Sequence, residues 1–299
     1  MTKLLVLSEC RESASIDESA LSYAKRELGA AVTYFATQEA ANRLVDDKPD
    51  VVVYRSTLNR ERMLSDETLR WIKSKARLVL WCSESSSPHY ADLLRHYRDE
   101  RLFDLRVGTD GGSEAAFQEN LYDWATLWPC DPDWYWPTVQ PDGKGEYLWK
   151  HPEKDINLGF GGSIGDGRRP LIQSFGDALT VRERKAGNGE EFDHYGSYAA
   201  WLMRCRAVVN DATLDGGYAV KNRVIEAGLA GCLLFEIEGS PLPRWGFKAG
   251  QDYLVLEHNN PAAVALLPDY AEICARFGER LRHKVAEFHP SKFWQQVIG

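Results

Sequence analysis

Short apolar runs alternate with amphipathic segments along the first third of the chain. The runs are rich in β-branched residues and apolar on both faces, which is typical of strands buried within a parallel sheet. The segments between them have helical periodicity. The predicted strands are Lys3–Leu7, Ala31–Phe35, Asp50–Tyr54, Arg77–Trp81 and Phe103–Val107, and the predicted helices are Ser15–Leu28, a segment ending near Val45, Leu64–Lys75 and Pro88–Tyr97.

The same alternation restarts after residue 155. We therefore expect an α/β protein with two successive doubly wound parallel sheets and a cleft between them, in which ligands bind at the carboxyl ends of strands. The second set of predicted strands is Ile156–Phe160, Leu179–Glu183, Ala207–Asn210, Cys232–Ile237 and Tyr253–Leu256, and the predicted helices are Pro170–Ala178, Tyr198–Cys205, Val220–Ala230, Ala262–Leu267 and Ala271–Phe288.

The stretch from Gly111 to Lys154 breaks this pattern, because it is rich in proline, glycine and tryptophan. We interpret it as an interdomain linker. Its tryptophans either stack on a sugar or, the simpler interpretation, wedge the linker against the domains. They are Trp124, Trp128, Trp134, Trp136 and Trp149.

Composition narrows the possible functions. A net charge of -8 and a pI near 5.5 argue against a broad nucleic-acid-binding surface. The 6 cysteines form no CxxC pair, and most lie in apolar runs, which indicates buried free thiols and a reducing cytoplasm rather than disulfides or structural zinc. No stretch reaches the length of a membrane span.

A glycine-rich segment, Gly161–Arg169, follows one predicted strand of the second half. Glycines allow backbone N–H groups to approach a phosphate, and Arg168 or Arg169 adds a cation. A flexible turn explains the segment about as well. Ile164 breaks the dinucleotide-binding pattern GxGxxG, which weakens the alternative of an NAD-type enzyme.

The stretch DGGYAVKNRVIEAGLAGCLLFE carries a more specific signal, because it places a carboxylate inside an apolar helix. Glu226 lies within one helical turn of Arg223, and a carboxylate can hold two vicinal ribose hydroxyls at once. Lys221 and Arg223 supply charge for a diphosphate. The alternative is an ordinary surface salt bridge between Arg223 and Glu226.

This stretch, with EGSPLPRW and GQDYLVLEHNNPAAV after it, resembles the C-terminal half of GT-B glycosyltransferases. It is most similar to the CgeB-like group related to family 4. The resemblance implies two Rossmann-like domains facing a cleft and a nucleoside-diphosphate sugar, most simply a UDP-sugar, as donor. The expected parts are an acceptor domain at residues 1–125, a linker at 126–154, a donor domain at 155–270, and a C-terminal helix at 271–299 that returns to the first domain.

The resemblance also implies roles for individual residues. Glu226 is expected to bind the nucleotide ribose, and the base is expected near Arg184 and Tyr195. The residues expected to border the diphosphate are Gly161, Gly162, Arg168, Arg169, Gly216, Gly217, Lys221 and Arg223.

The family places a further glutamate eight residues before the ribose glutamate, and here Tyr218 stands in that position. We expect Asp215, the nearest carboxylate, to take over its contact with the donor sugar. On the acceptor side, Glu84 and His89 follow a strand end and are candidates for orienting a hydroxyl. Capping or exposure to solvent is the simpler interpretation of His89.

The first hypothesis is thus a metal-independent, retaining glycosyltransferase with no cofactor. It is cytoplasmic, with peripheral contact between its basic last segment and a membrane left open. The acceptor is open among glycans, lipid-linked molecules, proteins and small molecules, and the acidic pI counts against DNA bases. The second hypothesis is a non-catalytic protein that binds sugar nucleotides or a partner on the same scaffold.

Overall fold

The computed structural model describes residues 2–8, 16–34, 42–44, 46–56, 63–82, 88–111, 116, 118–135, 153–162, 164, 168–183, 195–211, 213–214, 217–257 and 259–299. The chain forms two compact units. The first comprises Met1–Asp131, Thr213–Asn222 and Phe288–Gly299, and the second comprises Pro132–Ala212 and Arg223–Glu287.

All of the predicted strands are present, although several bounds differ. The described strands are β1 Leu4–Ser8, β2 Ala31–Tyr34, β3 Val51–Ser56, β4 Arg77–Cys82, β5 Leu105–Gly108, β6 Trp124–Ala125, β7 Ile156–Gly162, β8 Thr180–Glu183, β9 Cys205–Asn210, β10 Thr213–Leu214, β11 Gly217–Tyr218, β12 Leu233–Glu236 and β13 Leu254–Val255.

Each unit contains one parallel sheet. The strand order is β2-β1-β3-β4-β5-β6 in the first unit and β13-β12-β9-β7-β8 in the second. Strands β10 and β11 form a separate antiparallel hairpin within the first unit, which the sequence did not predict. The apolar strands are almost completely buried, as the sequence indicated.

Helices connect the strands. They are α1 Ile16–Leu28, α2 Asp66–Lys73, α3 Pro88–Asp99, α4 Arg169–Ser174, α5 Tyr195–Arg204, α6 Asn222–Leu229, α7 Pro261–Val264, α8 Tyr270–Val285 and α9 Pro290–Ile298. Within the described parts of the chain, no helix is both long and apolar enough to cross a membrane.

The tryptophans that the structure describes in the predicted linker pack against protein. Trp128 lies 5.3 Å from Trp81, centroid to centroid, and donates its indole N–H to Ser19 Oγ at 3.2 Å. Trp124 stacks on Phe293 of α9. These contacts favour the packing interpretation over sugar stacking. Trp136 and Trp149 lie outside the described residues.

Helix α9 is anchored in the first unit by two aromatic side chains. Phe293 and Trp294 lie 5.1 Å and 5.9 Å from the ring of Trp81, and Trp294 is completely buried. The resemblance implied one continuous helix over 271–299. It did not predict the break at Ala286–Phe288, a single turn of 3-10 helix that separates α9 from α8.

Candidate functional site

Three neighbouring strands of the second sheet end at the same edge, each in a glycine or a polar residue. β7 ends at Gly162, β9 at Asn210 and β12 at Glu236, and Glu236 pairs directly with Asn210 in the register of the sheet. Open α/β sheets bind their ligands at this edge. We call the group formed by Gly161, Gly162, Arg168, Asn210, Asp211, Arg223 and Glu236 the carboxyl-edge cluster.

Arg223 fastens two of these strand ends together. Its Nε donates to the Gly161 carbonyl at 3.0 Å, Nη2 donates to the same oxygen, and Nη1 donates to Asn210 Oδ1 at 2.9 Å. The guanidinium also lies 4.5 Å from the centroid of the Phe160 ring. Only 7% of Arg223 is exposed, so its planar fork is held in one orientation by the sheet.

Glu236 continues this network on the other side of Asn210. The Asn210 amide donates to Glu236 Oε2 at 2.7 Å, and the backbone N–H of Ile237 donates to Oε1 at 3.1 Å. Glu236 is fully buried. Burial raises the pKa of its carboxyl to about 8, and the two hydrogen bonds and Arg223 offset only part of that increase.

Arg168 brings a second guanidinium to the cluster. Its Nε lies 3.8 Å from Asp211 Oδ2, and its side chain keeps 19% exposure whereas that of Asp211 keeps 4%. Burial, and then the positive charge of Arg223, lower the pKa of Arg168. Two cations that repel each other at the edge of a sheet favour an anionic ligand.

Close contacts with neighbouring side chains explain why residues 161 and 162 are glycines, whereas the conformation of a loop does not. The prediction that they follow the strand was wrong: both belong to β7 and pair with Arg182 and Glu183 of β8. A Cβ on Gly161 would stand 2.7 Å from the Tyr198 ring, and one on Gly162, where φ is 145°, would overlap the Arg223 guanidinium. Their lack of side chains therefore makes room for α5 and for Arg223.

Glu226 lies in a second polar group of the same unit. Its Oε1 accepts from the Tyr195 hydroxyl at 2.7 Å and its Oε2 accepts from the Tyr198 hydroxyl at 3.1 Å. The Tyr195 hydroxyl is also 2.7 Å from that of Tyr135. Desolvation and the neighbouring Glu226 carboxylate raise the pKa of Tyr198.

Burial decides what Glu226 can touch in this state. The carboxylate is fully buried, and each oxygen already accepts one tyrosine hydroxyl. The alternative of a surface salt bridge between Arg223 and Glu226 is therefore wrong, because both side chains are buried. A buried carboxylate needs such donors, so the two tyrosines explain why a glutamate is tolerated in this apolar helix.

The remaining predicted residues fall into two groups. Arg169 is exposed at the start of α4, while Gly217 in β11 and the partly exposed Lys221 belong to the first unit. His89 lies in the first turn of α3, and the structure describes only its backbone. Four candidates lie outside the described residues, namely Glu84, Arg184, Asp215 and Gly216.

Sequence reasoning missed Asn210, Glu236 and Tyr198. A signal existed for the first two, because each is the only polar residue at the end of an apolar strand, in AVVN and LLFE. The role of Tyr198 had no such signal, since it depends on how α5 packs against α6. The buried Asp131, which the sequence did not single out either, accepts from Arg26 and from Ser22.

No protein-family model and no curated protein sequence matches the chain. Solved structures do match, at low identity. HepE of Anabaena in complex with UDP and glucose has a TM-score of 0.62 at 13% identity over 99% of this chain and 98% of its own. The alpha-glucosyltransferase AGT in complex with UDP has a TM-score of 0.62 at 11% identity over 100% of both chains.

TarM gives a weaker match, with a TM-score of 0.51 at 11% identity over 88% of this chain and 58% of its own. A further structure of AGT holds both UDP and a 13-mer DNA. At these identities the likeness establishes architecture alone. The chain has the fold of GT-B glycosyltransferases, with one parallel sheet and its helices in each unit.

Proposed function

We propose that the protein is a glycosyltransferase that takes a sugar from a nucleoside-diphosphate sugar, with a UDP-sugar as the expected donor. The donor diphosphate binds at the carboxyl-edge cluster of the second unit. The fold shared with UDP-bound glycosyltransferases supports this class of reaction. So does the resemblance of the segment around Glu226 to CgeB-like, family-4-related enzymes.

One observation carries the proposal. Arg168 and Arg223 lie together at the carboxyl edge of the second sheet, where 19% of the Arg168 side chain is exposed. Breaking the anomeric bond leaves negative charge on the departing diphosphate, and fixed cations stabilise that charge in the transition state. Arg168 contacts the diphosphate in this proposal, and Arg223 holds the strand ends that surround it.

Leaving-group stabilisation of this kind uses side chains alone, which supports the metal-independent mechanism that we propose. Retention of the anomeric configuration follows the same resemblance to family 4. We further propose that Asp215 contacts the donor sugar and that Glu84 and His89 orient the acceptor.

The ribose role proposed for Glu226 carries a structural condition. Because Tyr195 and Tyr198 each occupy one carboxylate oxygen, a ribose must either use the remaining lone pairs or displace a tyrosine hydroxyl. An ionised carboxylate offers about four acceptor positions. Tyr195 and Tyr198 are then the residues next to the ribose.

We also expect the reaction to take place in the cytoplasm.

A non-catalytic protein that binds sugar nucleotides is the second candidate. One observation favours it: Tyr218 replaces the glutamate that is expected to contact the donor sugar. This candidate shares the diphosphate site and differs only in turnover.

A panel of donors separates these possibilities. Thermal unfolding is followed with UDP-glucose, GDP-mannose, ADP-glucose and TDP-glucose, and release of the nucleoside diphosphate is then measured for any donor that raises the Tm. We expect a UDP-sugar to raise the Tm and to be hydrolysed slowly. Binding without hydrolysis or transfer favours the second candidate, whereas the absence of any shift contradicts both.

A further inference from the structure

We propose that Glu236 is a positioning residue that acts through Asn210 on Arg223, and that the proton on its carboxyl sets the net charge of the carboxyl-edge cluster towards a diphosphate. This inference rests on the proposed function. It concerns a residue that does not itself touch the donor. Its effect is on the affinity of the site and on how that affinity depends on pH.

The geometry connects the three residues without a gap. The Asn210 amide donates to Glu236 at 2.7 Å, and the carbonyl oxygen of the same side chain accepts from Arg223 at 2.9 Å. The Asn210 amide is therefore fixed in one orientation, with its N–H₂ towards the carboxyl and its oxygen towards the guanidinium. Any change in the charge of Glu236 is felt by Arg223 across a single side chain.

Backbone groups form hydrogen bonds with both ends of this series of three side chains. Ile237 N–H donates to Glu236, and Arg223 donates to the Gly161 carbonyl. The network thus spans β12, β9 and β7, and it determines where the guanidinium stands relative to the end of the sheet. Because the groups are buried, their interactions are screened much less than those of exposed charges.

Among the described residues, three charged or titratable groups interact electrostatically with Glu236. Arg223 favours the ionised carboxyl, Asp211 at the end of β9 disfavours it, and Tyr253, on the segment before β13, feels its charge in turn. Burial exceeds the other effects and raises the pKa of Glu236 to about 8. The carboxyl therefore keeps its proton to a higher pH than an exposed glutamate does.

The proton changes the charge balance of the cluster. With Glu236 neutral, the described part of the cluster holds two guanidinium groups, those of Arg168 and Arg223, and one other carboxylate, that of Asp211, so that its net charge is positive. With Glu236 ionised, two carboxylates balance two guanidinium groups. Affinity for a diphosphate should then fall about tenfold as the pH rises through 8. The reason is that one added charge, acting inside the protein over the distance between Glu236 and the diphosphate, changes the binding constant about tenfold.

The test is calorimetric titration of UDP into the protein at pH 6.5, 7.5, 8.5 and 9.0, with Glu236→Gln alongside the parent. Glutamine keeps the shape and the neutral charge of the protonated carboxyl. We expect the parent to lose about tenfold in affinity between pH 7 and 9 and the variant to keep its affinity. The ionisation of UDP itself is common to both proteins and cancels in the comparison.

A second measurement on the parent alone covers the case in which Glu236→Gln does not fold. Binding linkage is reciprocal, so saturation with UDP should move the titration of this buried carboxyl, followed by NMR of ¹³C-labelled glutamate, to higher pH. An equal loss of affinity in parent and variant, or a titration that UDP does not move, overturns the inference and leaves the proposed function standing. Failure of UDP to bind the parent at any pH overturns the proposed function and this inference with it.

Discussion

The hydroxyl of Tyr195 donates to the buried Glu226 carboxylate across 2.7 Å. The two side chains come from α5 and α6, and Tyr198 completes the arrangement on the second oxygen. The glutamate that the sequence marks as a ribose ligand is thus also the centre of an internal hydrogen-bond network. Stability and nucleotide binding at this position should be linked.

Tyr195→Phe is expected to destabilise the protein by about 1–3 kcal/mol, because it leaves one oxygen of a buried carboxylate without its donor. Tyr135→Phe is the matched control. It removes a hydroxyl that meets Tyr195 but not Glu226, and it should cost about 1 kcal/mol or less. Urea unfolding followed by tryptophan fluorescence measures both. Equal costs for the two variants would contradict the role given to Tyr195.

Glu236 should make stability depend on pH. Its pKa is raised from 4.5 to about 8 by burial, so between those values the folded state binds more protons than the unfolded state. Stability is then complete below the unfolded pKa and falls as the pH rises towards 8. Glu236→Gln should flatten this fall, by up to about 1.4 kcal/mol for each pH unit.

The free energy of unfolding at pH 5.5 and 7.5 measures this effect. Glu272→Gln, an exposed glutamate in the first turn of α8, is the control and should follow the parent at both values. A Glu236→Gln variant that loses stability between pH 5.5 and 7.5 as steeply as the parent would show that the carboxyl is already ionised in the folded protein.

Gly162→Ala should disturb Arg223. A side chain there needs a φ of 145°, which L residues rarely adopt, and its Cβ would overlap the guanidinium. We expect a loss of about 2–4 kcal/mol from strain and displacement together. At Gly176, φ is 52° and the space beside it is open, so Gly176→Ala should cost only the left-handed conformation itself, about 1–2 kcal/mol. The two unfolding curves, measured side by side, check this difference.

Trp294→Ala should destabilise the first unit by about 3–5 kcal/mol, because a fully buried indole packed on Trp81 leaves a cavity. Trp71, which is 36% exposed, provides the comparison, and Trp71→Ala should change stability by about 1 kcal/mol or less. Near-UV circular dichroism during thermal unfolding reports both. A Trp294→Ala variant as stable as the parent would contradict the anchoring role of α9.

The sequence predicted the sheets well because the apolar runs are long, regular and buried on both faces. It predicted Gly161 and Gly162 in a loop because glycine has no pattern that separates a turn from a close contact. The contacts of Gly161 with Tyr198 and of Gly162 with Arg223 join residues far apart in the chain. Such contacts exist only once α5 and α6 pack on the sheet.

The candidate site was predictable only in part, because its arginines and glycines were predicted but their polar partners were missed. Arg223 and Glu226 lie three residues apart, so local spacing left a salt bridge between them open as the alternative to a nucleotide site. In the fold they bind different partners. Arg223 donates to Gly161 and Asn210, and Glu226 accepts from Tyr195 and Tyr198. Both side chains are buried among different partners, and burial also raises the pKa of Glu236. These properties arise from the packed sheet and cannot be read from any short segment.

Calorimetric titration of UDP measures whether the exposed part of the Arg168 side chain binds the diphosphate of a nucleotide. Arg168→Ala should bind UDP about 10- to 100-fold more weakly than the parent, since a hydrogen bond to a charged group contributes about 1.5–3 kcal/mol. Arg280→Ala, at an exposed position on α8, should bind like the parent. A folded Arg168→Ala variant with the affinity of the parent would show that Arg168 does not bind the diphosphate.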